Sequence, residues 1–249
     1  MDLAQLLIVP AAFALGGAVK GVVGLGLPTV ALAVLGTALG PGEALPLLVA
    51  PAFLTNVWQA VAGGHLVPLL GRLWPMLLAA VPGVVLGTAI LVRADPAALD
   101  ILLGAALCSY AVLSLSGTPL SVPDGRERAL GPAVGFGTGV VAGTTGTLVL
   151  PVVPYLGGLG LGRDELVQAM GMSFAVSSFA LAAALAAQGV VATGQLAAST
   201  LAVLPAVAGM LAGQAIRRRI APPRFRRWLF LCLLVLGANL VWRGLVAMS

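Results

Sequence analysis

Charge is what this sequence has least of. Only 8% of its 249 residues are Asp, Glu, Lys or Arg, against about 25% in an ordinary soluble domain. Cysteine is nearly absent as well. Cys108 and Cys232 are the two present, both within apolar runs, which excludes a disulfide framework and a cysteine metal cluster and predicts two buried small side chains. No HExxH, GxSxG or P-loop pattern occurs, and an enzyme working inside a membrane would need several ionisable groups that the chain does not have. No catalytic residue, cofactor or metal is expected. The first residues, Met1–Asp2–Leu3, have no basic stretch of the kind that opens a secretory signal, so they read as mature sequence.

What is present is apolar. Hydrophobic residues make up 60% of the chain, and the mean hydropathy is +1.09. A globular core cannot absorb that much apolar surface, whereas a bilayer can, so the expected class is an all-α polytopic membrane protein. The net charge of +5 does not argue for nucleic acid, because arginines gathered in cytoplasmic loops account for it.

Residues 3–39 form one run of 37 residues with a single charge, Lys20. As a straight helix it would be about 55 Å long, while the hydrocarbon core is about 30 Å thick. The run must break, and Gly17, Gly21, Gly24, Gly26 and Pro28 show where. One helix is expected to end near Gly24–Gly26 and another to start near Pro28, since proline suits a first helical turn. The pattern recurs: a shift of 122 carries Gly17, Gly21 and Gly24 onto Gly139, Gly143 and Gly146, and Glu43 onto Glu165, with Pro151 close to the image of Pro28. The expected organisation is therefore two homologous repeats, residues 1–115 and 130–249, joined by a polar loop over 116–129. Each has a glycine-broken segment and then three spans: Glu43 to Gly63, Trp74 to Val92 and Ala97 to Leu115 in the first; Arg163 to Ala187, Leu196 to Ile216 and Trp228 to Trp242 in the second. His65, Pro68 and Arg72 read as a connector. Gly83 and Gly87, like Gly209 and Gly213, are spaced for close helix approach.

Two topologies compete. If each broken segment crosses once, the repeats are parallel; Arg93, Arg163 and the six arginines of 217–227 then lie on one side, and Arg72, Arg126, Arg128 and Arg243 on the other. If each is a re-entrant hairpin, the repeats are inverted, and ten of the twelve arginines share a side, leaving Arg93 and Arg243 opposite. The charge bias favours inverted repeats. Either way the cluster 217–227 is cytoplasmic and both termini are outside.

Helical spacing places Lys20 on a face with Gly17, Gly21 and Gly24. A face of small residues packs against protein, so the ammonium points inward, and a charge at such depth marks function by default. The alternative is a lysine that snorkels to an interface. In the second repeat the corresponding residue is Ala142, and the polar groups are Thr144, Thr145 and Thr147 around Gly146. Their hydroxyls and the freed N–H groups of a broken helix could cradle an anion, as interrupted helices in transporters do; the alternative is close packing. Thr55 and Asn56 map onto Ser177 and Ser178 at the same depth, either lining a polar path or joining helices. Glu43 and Glu165 are expected at helix N-termini, and His65 at the surface.

A repeated GxxxGxxG, an apolar run with proline and a span opening on an acid together resemble the TauE/SafE sulfite exporter family. The residues that carry the likeness are Gly17, Gly21, Gly24 and Gly26, then Gly139, Gly143, Gly146 and Pro151, with the runs 82–87 and 205–209 similar to that family's third helix. Where the family commonly has a glycine triplet, this chain has Gly26–Leu27–Pro28 and Leu148–Val149–Leu150. The resemblance implies a bacterial inner-membrane carrier of sulfite, sulfonates or related organosulfur anions, coupled to protons. The substrate-binding set expected on these grounds is Lys20, Gly21, Gly24, Gly26, Asn56, Gly143, Thr144, Thr145, Gly146, Thr147, Ser177 and Ser178. Partners are the sulfur anion and membrane lipid; assembly as a homodimer is left open. The rival functions are an anion channel and a structural membrane subunit.

Overall fold

The computed structural model describes residues 3–23, 25–116, 122–123, 125–188, 193–217 and 222–248. These are helical almost throughout, with no strand among them. The order is α1 (Leu3–Val23), α2 (Leu27–Leu39), α3 (Pro41–Val61), α4 (Leu66–Arg93), α5 (Pro96–Ser116), α6 (Glu127–Thr145), α7 (Val152–Gly157), α8 (Arg163–Ala187), α9 (Thr193–Arg217) and α10 (Pro222–Met248). Among the described residues, α3, α4, α5, α8 and α10 are long and apolar enough to cross a bilayer. Their lengths follow from the run lengths in the sequence.

Some expected boundaries move. Pro68 and Arg72 belong to α4 rather than to a connector, because a proline in the first turn removes no helical hydrogen bond. The last helix runs well past Trp228–Trp242 at both ends. Cys232 is exposed and Cys108 half-buried. An apolar run in a membrane helix does not imply burial, since lipid covers such a face as well as protein does.

The chain divides into two compact units. The first comprises residues 1–51, 94–117 and 191–249; the second comprises 52–93 and 118–190. Helix α3 is shared between them, with the division after Pro51.

In the first unit, α1 and α9 run side by side in the same direction. Gly209 packs on Ala14 and Gly213 on Ala18, while Gly17 packs on the Ala206 carbonyl; an added Cβ at Gly213 would come within 2.9 Å of the Ala18 Cα. Helices α5 and α10 are antiparallel, with Gly104 against Gly237 and Gly244 against Ala97. The Cys108 thiol donates to the Leu234 carbonyl at 3.6 Å, and Tyr110 meets Phe230 edge-on. Arg243 donates to the Thr37 carbonyl at 2.7 Å and lies 4.0 Å from Asp100. In α3, Pro51 has no N–H to offer the Leu47 carbonyl four residues back. The Ser199 hydroxyl of α9 supplies that bond at 2.9 Å and accepts from the Ala50 N–H at 3.0 Å.

In the second unit, α4 and α6 lie parallel with interlocked glycines. Gly83 and Gly87 face Phe136 to Gly143, and Gly135, Gly139 and Gly143 face Met76 to Thr88. Helix α8 runs antiparallel to the second half of α3. Gln168 donates to the Ala60 carbonyl at 2.6 Å and accepts from the His65 N–H at 2.7 Å, while Gln59 donates to the Val167 carbonyl at 2.9 Å. Arg72 grips both oxygens of Glu127 at 2.7 and 2.8 Å. Glu43 and Glu165 both fall in first helical turns, and Glu165 accepts from the Gly162 N–H at 2.9 Å. His65 is at the surface, 4.0 Å from Glu165.

Candidate functional site

Both long apolar runs break where their glycines stand, and at both breaks the chain turns back on itself. In the first unit, α1 ends at Val23 and α2 begins at Leu27. Gly26 carries the turn at φ 108°, a backbone state that costs an L side chain dearly and glycine nothing. Helix α2 then folds along α1. A Cβ at Gly16 would lie 2.8 Å from the Leu27 carbonyl oxygen and 3.4 Å from the Ala31 nitrogen, and one at Gly26 3.2 Å from Val19. Gly24 lies outside the described residues.

Lys20 occupies the last turn of α1, 5% exposed. One helical turn separates it from Gly16, on the same side. Since Gly16 packs against the first turn of α2, Lys20 stands level with the point where α2 begins. The carbonyl end of α1 favours a cation here. Its neighbours Val19, Gly21 and Val22 in α1 are buried, as are Leu25 and Leu27 at the break. Burial excludes the snorkelling alternative.

In the second unit, α6 ends at Thr145 and Gly146 closes it at φ 70°, its N–H returning to the Ala142 carbonyl. Residues 146–151 are non-helical and lead into the six-residue α7. Pro151 passes beside Gly137, and the Tyr155 hydroxyl donates to the Glu127 carbonyl at 3.0 Å. The chain thus travels back along the whole of α6, about 28 Å at 1.5 Å per residue.

The predicted polar residues of this unit separate by what their hydroxyls and amides are doing. Asn56 donates to Ser178 at 3.1 Å, joining α3 to α8. The Thr144 hydroxyl bonds to the Val140 carbonyl at 2.9 Å and Thr145 to that of Val141 at 2.7 Å, both closing onto their own helix. Gly143 is a packing position, where a Cβ would approach the Thr88 nitrogen at 2.6 Å. Two hydroxyls are left with donor capacity in hand. Thr147 and Ser177 are fully buried, and neither side-chain oxygen has a hydrogen-bond partner. A buried hydroxyl without a partner costs about 1–3 kcal/mol.

One more such group escaped the sequence reading. Thr29, in the first turn of α2, is buried with its hydroxyl unpartnered. Its image in the second repeat is Pro151, so the repeat concealed it. The signal that could have found it is position: it is the first polar residue after the Gly26–Leu27–Pro28 break.

Five described helices long and apolar enough to cross a bilayer place this chain among the multi-pass membrane proteins. Comparison then shows the family. Residues 8–240 match the sulfite exporter TauE/SafE pattern, and the chain belongs to that family, which makes it a membrane transporter of the sulfur-anion class. No curated protein and no solved structure matches it.

Proposed function

We propose that this protein is a secondary transporter that moves a small sulfur-containing anion, sulfite or a sulfonate, across the bacterial inner membrane with proton coupling, and that Lys20 supplies the charge that binds it. The observation that carries the reading is the 5% exposure of Lys20 beside a helix break in a sulfur-anion transporter family. Insertion scales put the cost of a charge at that depth at about 2.5–3.5 kcal/mol, and selection for an anion is a reason to bear it. Thr147 and Ser177 offer hydroxyls of the kind an oxyanion accepts.

The same reading takes the repeats as inverted. Helix α8 is the image of α3, since the shift of 122 carries Pro41 onto Arg163. The two run antiparallel where they meet, and Asn56 bonds to Ser178, its own image under that shift. Equivalent residues touch each other only at a two-fold axis, and an axis that reverses a spanning helix lies in the membrane plane. The hairpins at both breaks agree, since a re-entrant segment returns to its starting side. The cytoplasmic arginine cluster and external termini follow from the charge bias.

A thermal-shift screen of purified protein in detergent tests the substrate class. Sulfite, thiosulfate, taurine, sulfoacetate and an aromatic sulfonate are compared with chloride at equal ionic strength. At least one sulfur anion should raise the melting temperature dose-dependently, as ligands that bind only the folded state do. Equal responses to every salt would remove the sulfur-anion assignment.

A further inference from the structure

Six of the described threonines behave alike, and Thr29 and Thr147 do not. Thr37, Thr55, Thr88, Thr138, Thr144 and Thr145 each donate to a carbonyl three or four residues back in their own helix, the usual habit of a helical hydroxyl. Thr147 lies outside any helix, in the second break. Thr29 lies inside α2, is 1% exposed, and makes no such bond. The carbonyl four back belongs to Leu25, which is not helical, and the Gly26 carbonyl three back accepts from the Val30 N–H at 2.9 Å. Because Cα–Cβ bonds tilt toward a helix's N-terminus, the hydroxyl of Thr29 is directed at the start of α2.

That start is itself a donor. The first N–H groups of a helix have no partner within it and carry partial positive charge, and Gly26 at the cap has no side chain with which to satisfy them. Leu27 and Thr29 contribute N–H groups here, and Pro28 contributes none. Helices α3, α6 and α8 carry an acid in the first turn; α2, like α1, α4, α5, α9 and α10, does not. Lys20 follows Val19, which packs against Gly26 at the start of α2. Leu25, Leu27 and Val30 beside these donors are buried.

We infer that the first turn of α2, through the Thr29 hydroxyl and the Leu27 and Thr29 N–H groups, is the oxygen-recognising half of the anion site. Lys20 supplies charge, which any anion satisfies. Thr29 supplies a directed hydrogen bond, which an oxygen of a sulfonate or sulfite group accepts well and a halide poorly. The residue is therefore a specificity determinant, and the ligand class is a small oxyanion with several equivalent oxygens on sulfur. This inference rests on the proposed transport reading and deepens it.

Methanesulfonate, a permanent monoanion, is the probe, with chloride as comparator, on full-length protein in detergent by calorimetry. Thr29→Val keeps shape and removes the hydroxyl. Methanesulfonate should bind roughly tenfold to a hundredfold more weakly, the range expected when a hydrogen bond to a charged group is lost, while chloride binding is unchanged. The unliganded melting temperature should hold or rise, because the hydroxyl removed had no partner. Thr29→Ser should bind within a few-fold of wild type, as should Thr37→Val, whose hydroxyl serves its own helix. If valine disturbs packing, Thr29→Ala gives the same readout without added bulk. Unchanged methanesulfonate affinity in Thr29→Val and Thr29→Ala, alongside its loss in Lys20→Ala, overturns this inference and leaves the transport reading standing. Failure of wild type to bind any sulfur anion overturns both.

Discussion

Glycine at the helix contacts does the work that large side chains do in a soluble core. In the second unit a Cβ on Gly87 would collide with the Val140 carbonyl and come within 2.9 Å of the Gly143 Cα. Both are backbone, which cannot move aside without separating α4 from α6. Gly87→Val should therefore destabilise the protein by more than about 2 kcal/mol, at the upper end of overpacking costs, read as a lowered melting temperature in detergent. Gly157→Ala, where nothing lies within 4 Å, is the matched control and should be neutral. A Gly87→Val protein that melts like wild type would show that these helices do not approach as closely as described. At this scale the sequence was most legible where chemistry is unusual for its surroundings. The burial of Lys20 was legible because it is the one charge in a run of 37 residues. Thr29 was not, because a threonine is ordinary in any helix and only its missing partner singles it out. Asn56 and Ser178 were identified as polar and equivalent, but nothing in the sequence could say that they would bond to each other.

Helix breaks were legible because two lengths disagree. A run of 37 residues and a bilayer about 30 Å thick cannot be reconciled by one straight helix, and glycine followed by proline fixes the place. Other element features depend on partners from distant sequence. Pro51 sits within α3 and costs the Leu47 carbonyl its helical donor; the replacement is Ser199, 148 positions further on. Ser199→Ala should lower stability by about 1 kcal/mol, the net worth of one hydrogen bond. In a Pro51→Ala background the helix can satisfy its own carbonyl, so the same serine change should cost markedly less. The non-additivity in a four-protein melting series is the measurement. Equal costs in both backgrounds would mean that Ser199 is not replacing the proline's missing donor.

Across the whole molecule, helices of the two halves are exchanged: α1 packs on α9 in one unit, α4 on α6 in the other. The periodicity of 122 predicted a division into residues 1–115 and 130–249, whereas the compact units each draw helices from both stretches. That follows from pairing of glycine faces, which the sequence shows only one face at a time. Orientation in the bilayer is a further whole-molecule property. On the inverted reading the 116–129 loop is cytoplasmic, which gathers ten of the twelve arginines on one side. With Cys108 and Cys232 replaced by alanine, Asp124→Cys should resist impermeant thiol reagents in intact cells and react after lysis; ready labelling from outside would restore the parallel arrangement. The central claim is that Lys20 binds the transported anion, and counterflow of radiolabelled sulfite into proteoliposomes tests it most directly. Wild type should accumulate label against a sulfite-loaded lumen. Lys20→Ala, reconstituted to the same level and with an unchanged elution profile, should fall to the rate of empty liposomes, and Lys20→Arg should keep part of the activity, since charge survives while the head-group geometry changes. Counterflow at the wild-type rate in Lys20→Ala would contradict the account.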